Sequence, residues 1–99
     1  SQVTTVLMKM IQGETPHKEV YEIVKEGFTF LKNVKEDLVS DFEVLIVLRI
    51  LKELGYVVND DVTNTFLGNE WSDELLIKIN INKMSIVAVV NKALKESQL

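Results

Sequence analysis

The stretch FEVLIVLRILKELGY at positions 42–56 decides the fold of this chain. A helix on a protein surface carries one apolar stripe, whereas this run is apolar around most of a helical circumference. Other helices must therefore surround it, with Leu45, Leu48 and Leu51 at the centre of the core. The sequence predicts an all-α fold, a compact bundle of about five helices around a central apolar helix, with one extended loop.

Two helices are predicted before the central one. The segment GETPH at 13–17 separates a helix at about 3–12 from a second helix at about 16–33, because glycine closes a helix and Pro16 suits the first position of the next. Gly27 lies inside the second helix, where it costs about 1 kcal/mol relative to alanine. We expect it to permit close approach of a neighbour, the opening helix.

The central helix is predicted to begin near Glu36 or Ser40, with a possible break at Lys35 to Asp41, and to end at Gly55 as a left-handed cap. The residues at 57–71 are rich in Asn, Asp and Gly, which favour turns over regular structure. This segment is the predicted extended loop. Its expected anchors on the core are Phe66, Leu67 and Trp71.

Two further helices are predicted after the loop. Ser72 is an N-cap candidate for a helix at about 73–80, and Asn82 is one for a final helix at about 83–96. The alternation in IKINI at 77–81 also fits a short strand, but the sequence offers no second strand to pair with it. We therefore predict a helix there.

The composition is that of one ordinary globular domain. The chain has 99 residues, of which 46% are hydrophobic and 26% charged, and it has no cysteine. Disulfides and thiolate zinc sites are thus excluded, and no apolar run reaches membrane-spanning length, so a cytoplasmic location is expected. Because the chain opens on Ser1 with a helical pattern, we expect residues 1–99 to be the C-terminal part of a longer protein.

The charges are unevenly distributed along the chain. The net charge of −4 argues against nucleic-acid binding by the whole domain. Residues 1–74 hold seven basic against fourteen acidic side chains, whereas 75–99 hold four lysines against Glu96 alone. This basic C-terminal segment is either a solvated helix face or a surface for a partner.

Catalytic and metal-binding patterns are missing from the sequence. His17 is the only histidine, and its place in a first helical turn suits an exposed, unpaired imidazole. The run Asn59-Asp60-Asp61 lacks the glycine and distal glutamate of a calcium loop and is explained by turn formation. We predict no enzyme, no cofactor and no metal site.

Three stretches carry a resemblance to a known family. TPHKEVYEIVKEGFTFL, DFEVLIVLRILKELGY and VNKALKESQL together resemble the C-terminal helical domain of the bacterial DNA repair protein RecO. The family has an oligonucleotide-binding barrel before this domain, which is absent here, and many members hold zinc through cysteines that 57–71 lacks. The most specific matching residues are Phe42, Glu43, Leu45, Leu48, Leu51, Leu54, Gly55 and Tyr56.

The resemblance implies a recombination mediator without catalytic turnover. Its partners would be the acidic, apolar tail of single-stranded-DNA-binding protein, a RecR-type protein, and DNA mainly through the missing barrel. Such a tail needs an apolar groove edged with basic side chains. The candidates are Arg49, Lys52, Lys83, Lys92 and Lys95, and they form one surface if the central and last helices pack side by side. The alternative is a generic helical interaction module unrelated to DNA repair.

Arg49 is the one basic side chain inside the apolar run, and two roles are open for it. It is structural if it extends to water or pairs with Glu43 or Glu53. It is a ligand-binding residue if its planar guanidinium receives a terminal carboxylate beside an apolar groove.

Overall fold

A computed structural model describes residues 18–97, and all regular structure in that range is helical. Four α-helices are present: α1 at Lys18–Leu31, α2 at Val39–Glu53, α3 at Asp73–Ile81 and α4 at Lys83–Ser97. Single 3-10 turns lie at Glu36–Leu38 and Asn64–Phe66. The predicted all-α class is confirmed for this range, and the helix expected at about 3–12 lies outside it. None of these four helices is long and apolar enough to cross a bilayer.

Helix α2 is the centre of the bundle. It contacts α1, α3 and α4, and Leu45, Leu48 and Leu51 have no exposed surface. The predicted centre of the core is therefore confirmed. Val90 is buried against it, and three half-buried side chains pack at its edge, namely Phe28, Leu31 and Trp71. A helix covered on so many sides owes its stability to packing more than to helix propensity.

The end of α2 shows why Gly55 occupies its position. Its φ of +90° lies in the left-handed region that side chains with a Cβ rarely adopt. The Gly55 amide donates to the Lys52 carbonyl at 3.0 Å, and the Tyr56 amide donates to the Leu51 carbonyl at 2.9 Å. These two bonds form a Schellman motif, which satisfies carbonyls that the helix end leaves unpaired.

The structure tests three predictions about where helices begin and how far they extend. The Ser72 hydroxyl accepts a hydrogen bond from the Leu75 amide at 3.2 Å, which confirms the N-cap of α3. The segment at 77–81 lies within α3, so the strand alternative is wrong. The possible break before Asp41 is a 3-10 turn, Glu36–Leu38, that runs directly into α2.

Gly27 does permit close packing, but against different residues from those expected. A Cβ at this position would lie 2.7 Å from Ile46 Cδ1 and 3.0 Å from the Trp71 ring. The neighbours are thus a side chain of α2 and one from the loop after it. The opening helix that we expected there lies outside the described residues.

The loop at 57–71 is held by turn chemistry and by aromatic packing. The Asp60 carboxylate accepts hydrogen bonds from the Val62 and Thr63 amides, which lowers the pKa of that carboxyl, and the Thr63 hydroxyl donates to the Val58 carbonyl at 2.8 Å. The turn role predicted for Asp60 is confirmed. Phe66 is buried, so the loop is fixed at both its turn and its centre.

Three aromatic rings close the bundle beside Arg49. Phe30, Phe42 and Trp71 form a triangle with centroid separations of 6.3, 5.9 and 5.8 Å and tilted planes. Tilted rings at these distances attract each other beyond their shared burial. The triangle joins α1, α2 and the end of the loop, and it fixes the position of Trp71.

Candidate binding sites

Arg49 lies inside the bundle and does not extend to water. Only 3% of its surface is exposed, and its Nε donates a hydrogen bond of 2.8 Å to the Phe66 carbonyl. The guanidinium carbon also lies 4.6 Å from the centroid of the Trp71 ring, within range of a cation–π interaction. Arg49 therefore ties the loop to α2, and the prediction of a charge at a groove's rim is wrong for this residue.

The remaining guanidinium nitrogens of Arg49 have no partner among residues 18–97. Nη1 and Nη2 are closed to solvent and make no hydrogen bond in the described part of the chain. Burial lowers the pKa of Arg49 from its ordinary value to about 10, while the negative charges of Glu70 and Glu26 oppose that shift. The group is still protonated at neutral pH. Buried polar groups nearly always have partners, so these two nitrogens need one.

A small cavity of about 30 Å³ has Arg49 in its wall. A space of this size holds one water molecule or a group of similar size. We call it the Arg49 pocket, and its walls are Ile23, Glu26, Arg49, Lys52, Glu53, Leu67, Gly68, Asn69 and Trp71. Lys52, one of the predicted binding residues, belongs to this wall, and its Nζ lies 3.7 Å from Glu53 Oε1, so its charge is partly neutralised.

A larger and open depression of about 420 Å³ adjoins the Arg49 pocket along α1. The two share Ile23, Glu26, Glu53 and Asn69. We call the depression the acidic groove, because its walls hold four glutamates and one lysine: Lys18, Glu19, Glu22, Ile23, Glu26, Glu53 and Asn69. The pocket of a buried cation thus adjoins a surface that repels anions.

A third depression, of about 190 Å³, lies between α4 and the start of the loop. We call it the Lys92 groove, and its walls are Tyr56, Val57, Val58, Asp60, Thr63, Val89, Lys92, Ala93 and Glu96. Val58 is 75% exposed and Tyr56 39%, so apolar surface is open to a ligand here. Lys92, one of the predicted binding residues, lies in this wall together with two carboxylates, those of Asp60 and Glu96.

Lys83 already has a partner inside the domain. Its Nζ lies 2.9 Å from Asp41 Oδ1 and 2.7 Å from Ser40 Oγ. Asp41 is 1% exposed and also accepts from the Asn80 side-chain amide at 3.3 Å. A buried carboxylate needs such a counter-charge, so Lys83 joins the start of α2 to the start of α4.

The five predicted binding residues thus occupy separate places. Arg49 and Lys52 line one pocket, Lys92 lines a groove that shares no wall residue with it, and Lys83 forms an internal ion pair. Lys95 is exposed on α4, one turn beyond Lys92. Helices α2 and α4 do pack together, but that packing does not bring the guanidinium to the surface.

The acidic groove and the contact of Arg49 with Trp71 were not predicted from the sequence. The glutamates of α1 at positions 19, 22 and 26 follow a helical spacing that places them on one face, and this signal was readable. The Phe66 carbonyl that accepts from Arg49 could not be identified from the sequence, because every residue has a backbone carbonyl.

Comparisons of the chain with family models, with curated proteins and with solved structures found no match. The resemblance to RecO therefore rests on the sequence stretches quoted above. Within residues 18–97 no three His, Cys, Asp or Glu side chains are placed to hold a metal ion, and His17 lies outside that range.

Proposed function

We propose that this chain is a non-catalytic mediator domain of the RecO kind, which binds the acidic and apolar tail of single-stranded-DNA-binding protein in the Lys92 groove. The observation that carries the proposal is a groove with open apolar walls and a lysine at its edge. A mediator of this kind works in the cytoplasm. Contacts with a RecR-type partner, and with DNA through an N-terminal barrel, belong to the same proposal.

The chemistry of the groove suits the end of a peptide. Tyr56, Val58 and Val89 offer apolar surface to a terminal side chain, and Lys92 and Lys95 attract the acidic residues that precede it. The contact area is small, so the expected dissociation constant is on the order of micromolar or weaker. Since the charges are exposed, salt should weaken binding.

The test is a titration of labelled protein with the tail peptide, followed by amide chemical shifts. We expect shifts at positions 56–58 and 89–96, and weaker binding for the double variant Lys92→Glu and Lys95→Glu. The matched control is Lys32→Glu with Lys35→Glu, which changes the net charge equally at exposed lysines outside the groove. Absence of shifts at millimolar peptide, or equal losses in both variants, would refute the proposal.

Two further ligands separate the mediator from the generic interaction module. A peptide whose acidic residues are replaced by their amides should bind several times more weakly, because the lysines then lose their partners. Equal binding of both peptides would favour the generic module, for which the open apolar surface alone is sufficient. Bare single-stranded DNA should bind poorly to this domain, since its net charge of −4 provides no continuous cationic track.

A further inference from the structure

We infer that the Arg49 pocket is a second binding site, which takes the carboxylate of a ligand that also carries a positive charge. Two sources share this chemistry, namely a free basic amino acid and a peptide whose last residue is basic. The site and the ligand differ from those of the proposed function, so the two stand or fall separately.

The two unpaired nitrogens of Arg49 indicate that the ligand has a carboxylate. Nη1 and Nη2 of Arg49 are buried and lack partners, and no described carboxylate comes within ion-pair distance of them. The guanidinium plane is already fixed by the Phe66 carbonyl and the Trp71 ring. A planar, preorganised fork of donors matches a carboxylate in two parallel hydrogen bonds.

A water molecule is the competing occupant of this small cavity. It would fill the space and accept a hydrogen bond from a guanidinium nitrogen. It would not neutralise the charge, and burial has already lowered the pKa of Arg49 to about 10. A carboxylate supplies both the acceptors and the opposite charge, so it stabilises a buried cation more than water does.

The acidic groove indicates that the ligand also carries a positive charge. Glu26 and Glu53 line the Arg49 pocket itself, and Glu19 and Glu22 lie in the adjoining groove, so an anionic ligand that approaches Arg49 is repelled. A ligand with a cationic side chain reverses that effect, because its charge remains beside the glutamates while its carboxylate enters the pocket. The groove volume of about 420 Å³ leaves room for a long basic side chain.

Access to the pocket requires a local movement. The guanidinium nitrogens are closed to water in this structure, and Gly68 and Asn69 form part of the wall beside them. These two residues belong to the irregular loop, and an added Cβ at Gly68 would meet no atom within 4 Å. We therefore expect this stretch to shift on binding, with association slower than for a preformed groove.

The experiment uses two unique probes. Arg49 is the only arginine and Trp71 the only tryptophan, so the Nε–H signal and the indole signal each report on this pocket alone. The ligands are L-arginine, L-argininamide, and a short peptide ending in lysine with either a free carboxylate or an amide. We expect both probe signals to shift with the free carboxylates and not with the amides.

The relative affinities of the four ligands identify the source of the carboxylate, and two outcomes would refute the proposed site. Tighter binding of the peptide than of arginine identifies a basic C-terminus, and the reverse order identifies a free amino acid. Equal binding of acids and amides, or no shift at tens of millimolar ligand, would mean that the pocket holds water only.

Charge variants test the acidic groove without disturbing the core. Glu26→Gln with Glu53→Gln should weaken the basic carboxylate ligands roughly twofold to tenfold, the effect of losing two exposed ion pairs. The matched control is Glu36→Gln with Glu43→Gln, which alters two exposed glutamates outside both cavities and should leave binding unchanged. If the control weakens binding as much as the test variant, the groove has no role. Lys92→Glu should not affect this site.

Discussion

At the scale of single residues, Arg49 combines a structural contact with unused binding capacity. Its Nε donates to the Phe66 carbonyl, its guanidinium carbon lies over the Trp71 ring, and two of its nitrogens have no partner among the described residues. Removing the side chain leaves a buried carbonyl unpaired, which costs about 1–3 kcal/mol. A substitution that keeps the side-chain volume but removes the charge avoids the cost of burying the guanidinium. That same cost lowers the pKa of Arg49.

We therefore predict that Arg49→Ala destabilises the domain by about 2–4 kcal/mol, because it loses both the hydrogen bond and the contact with Trp71. Arg49→Met should lose less, since methionine keeps the packing on the Trp71 ring. Urea unfolding of the three proteins checks the order. Equal stability of wild type and Arg49→Ala would show that the guanidinium contributes nothing to the fold.

The sequence singled out Arg49 because it interrupts an apolar run, but it left open whether the side chain is structural or binds a ligand at a groove's edge. Its hydrogen-bond partner, the Phe66 carbonyl, is 17 residues away in an irregular loop, and such a contact depends on the path of the loop. The ion pair of Lys83 with Asp41 spans 42 residues and was missed for the same reason. The sequence thus identified both basic side chains as candidates, but it did not predict their burial or their hydrogen-bond partners.

At the scale of helices, local signals predicted boundaries well where a cap carries them. Gly55 and Ser72 have the φ and the hydrogen bond that their positions predicted. Gly27 was recognised as a close-packing site, but its neighbours come from α2 and the loop, and no local signal names them. An alanine there would gain helix propensity of about 1 kcal/mol and lose packing.

We predict that Gly27→Ala is destabilising by about 1–3 kcal/mol, because its Cβ would lie 2.7 Å from Ile46 Cδ1. Ile46→Val removes that methyl group, so the double variant should be more stable than the sum of the two single losses. Thermal unfolding of all three variants gives the coupling. Gly68→Ala is the control, since nothing lies within 4 Å of its added Cβ. Additive losses would show that Ile46 is not the obstacle.

At the scale of the whole molecule, one buried helix organises the domain, and the charges lie at its edges. The apolar circumference of α2 predicted that organisation, because only burial on nearly all sides explains it. The separation of the Arg49 pocket from the Lys92 groove was not predictable, since it depends on how α1 and the loop cover one side of α2. The charge counts identified an acidic segment and a basic segment of the sequence. They did not predict where these charges lie on the folded surface.

Leu48→Ala tests whether α2 makes the domain a single cooperative unit. Leu48 has no exposed surface, so the truncation should leave a cavity and cost about 2–5 kcal/mol. Because α2 contacts each of the other three helices, amide exchange should accelerate in α1, α3 and α4 together rather than near position 48 alone. Ile81→Ala is the control, a truncation at a side chain that is 75% exposed, and it should change stability by about 0.5 kcal/mol or less. Hydrogen exchange of the two variants measures both effects. A loss confined to α2, or a cost for Leu48→Ala no larger than for Ile81→Ala, would contradict a bundle built around this helix.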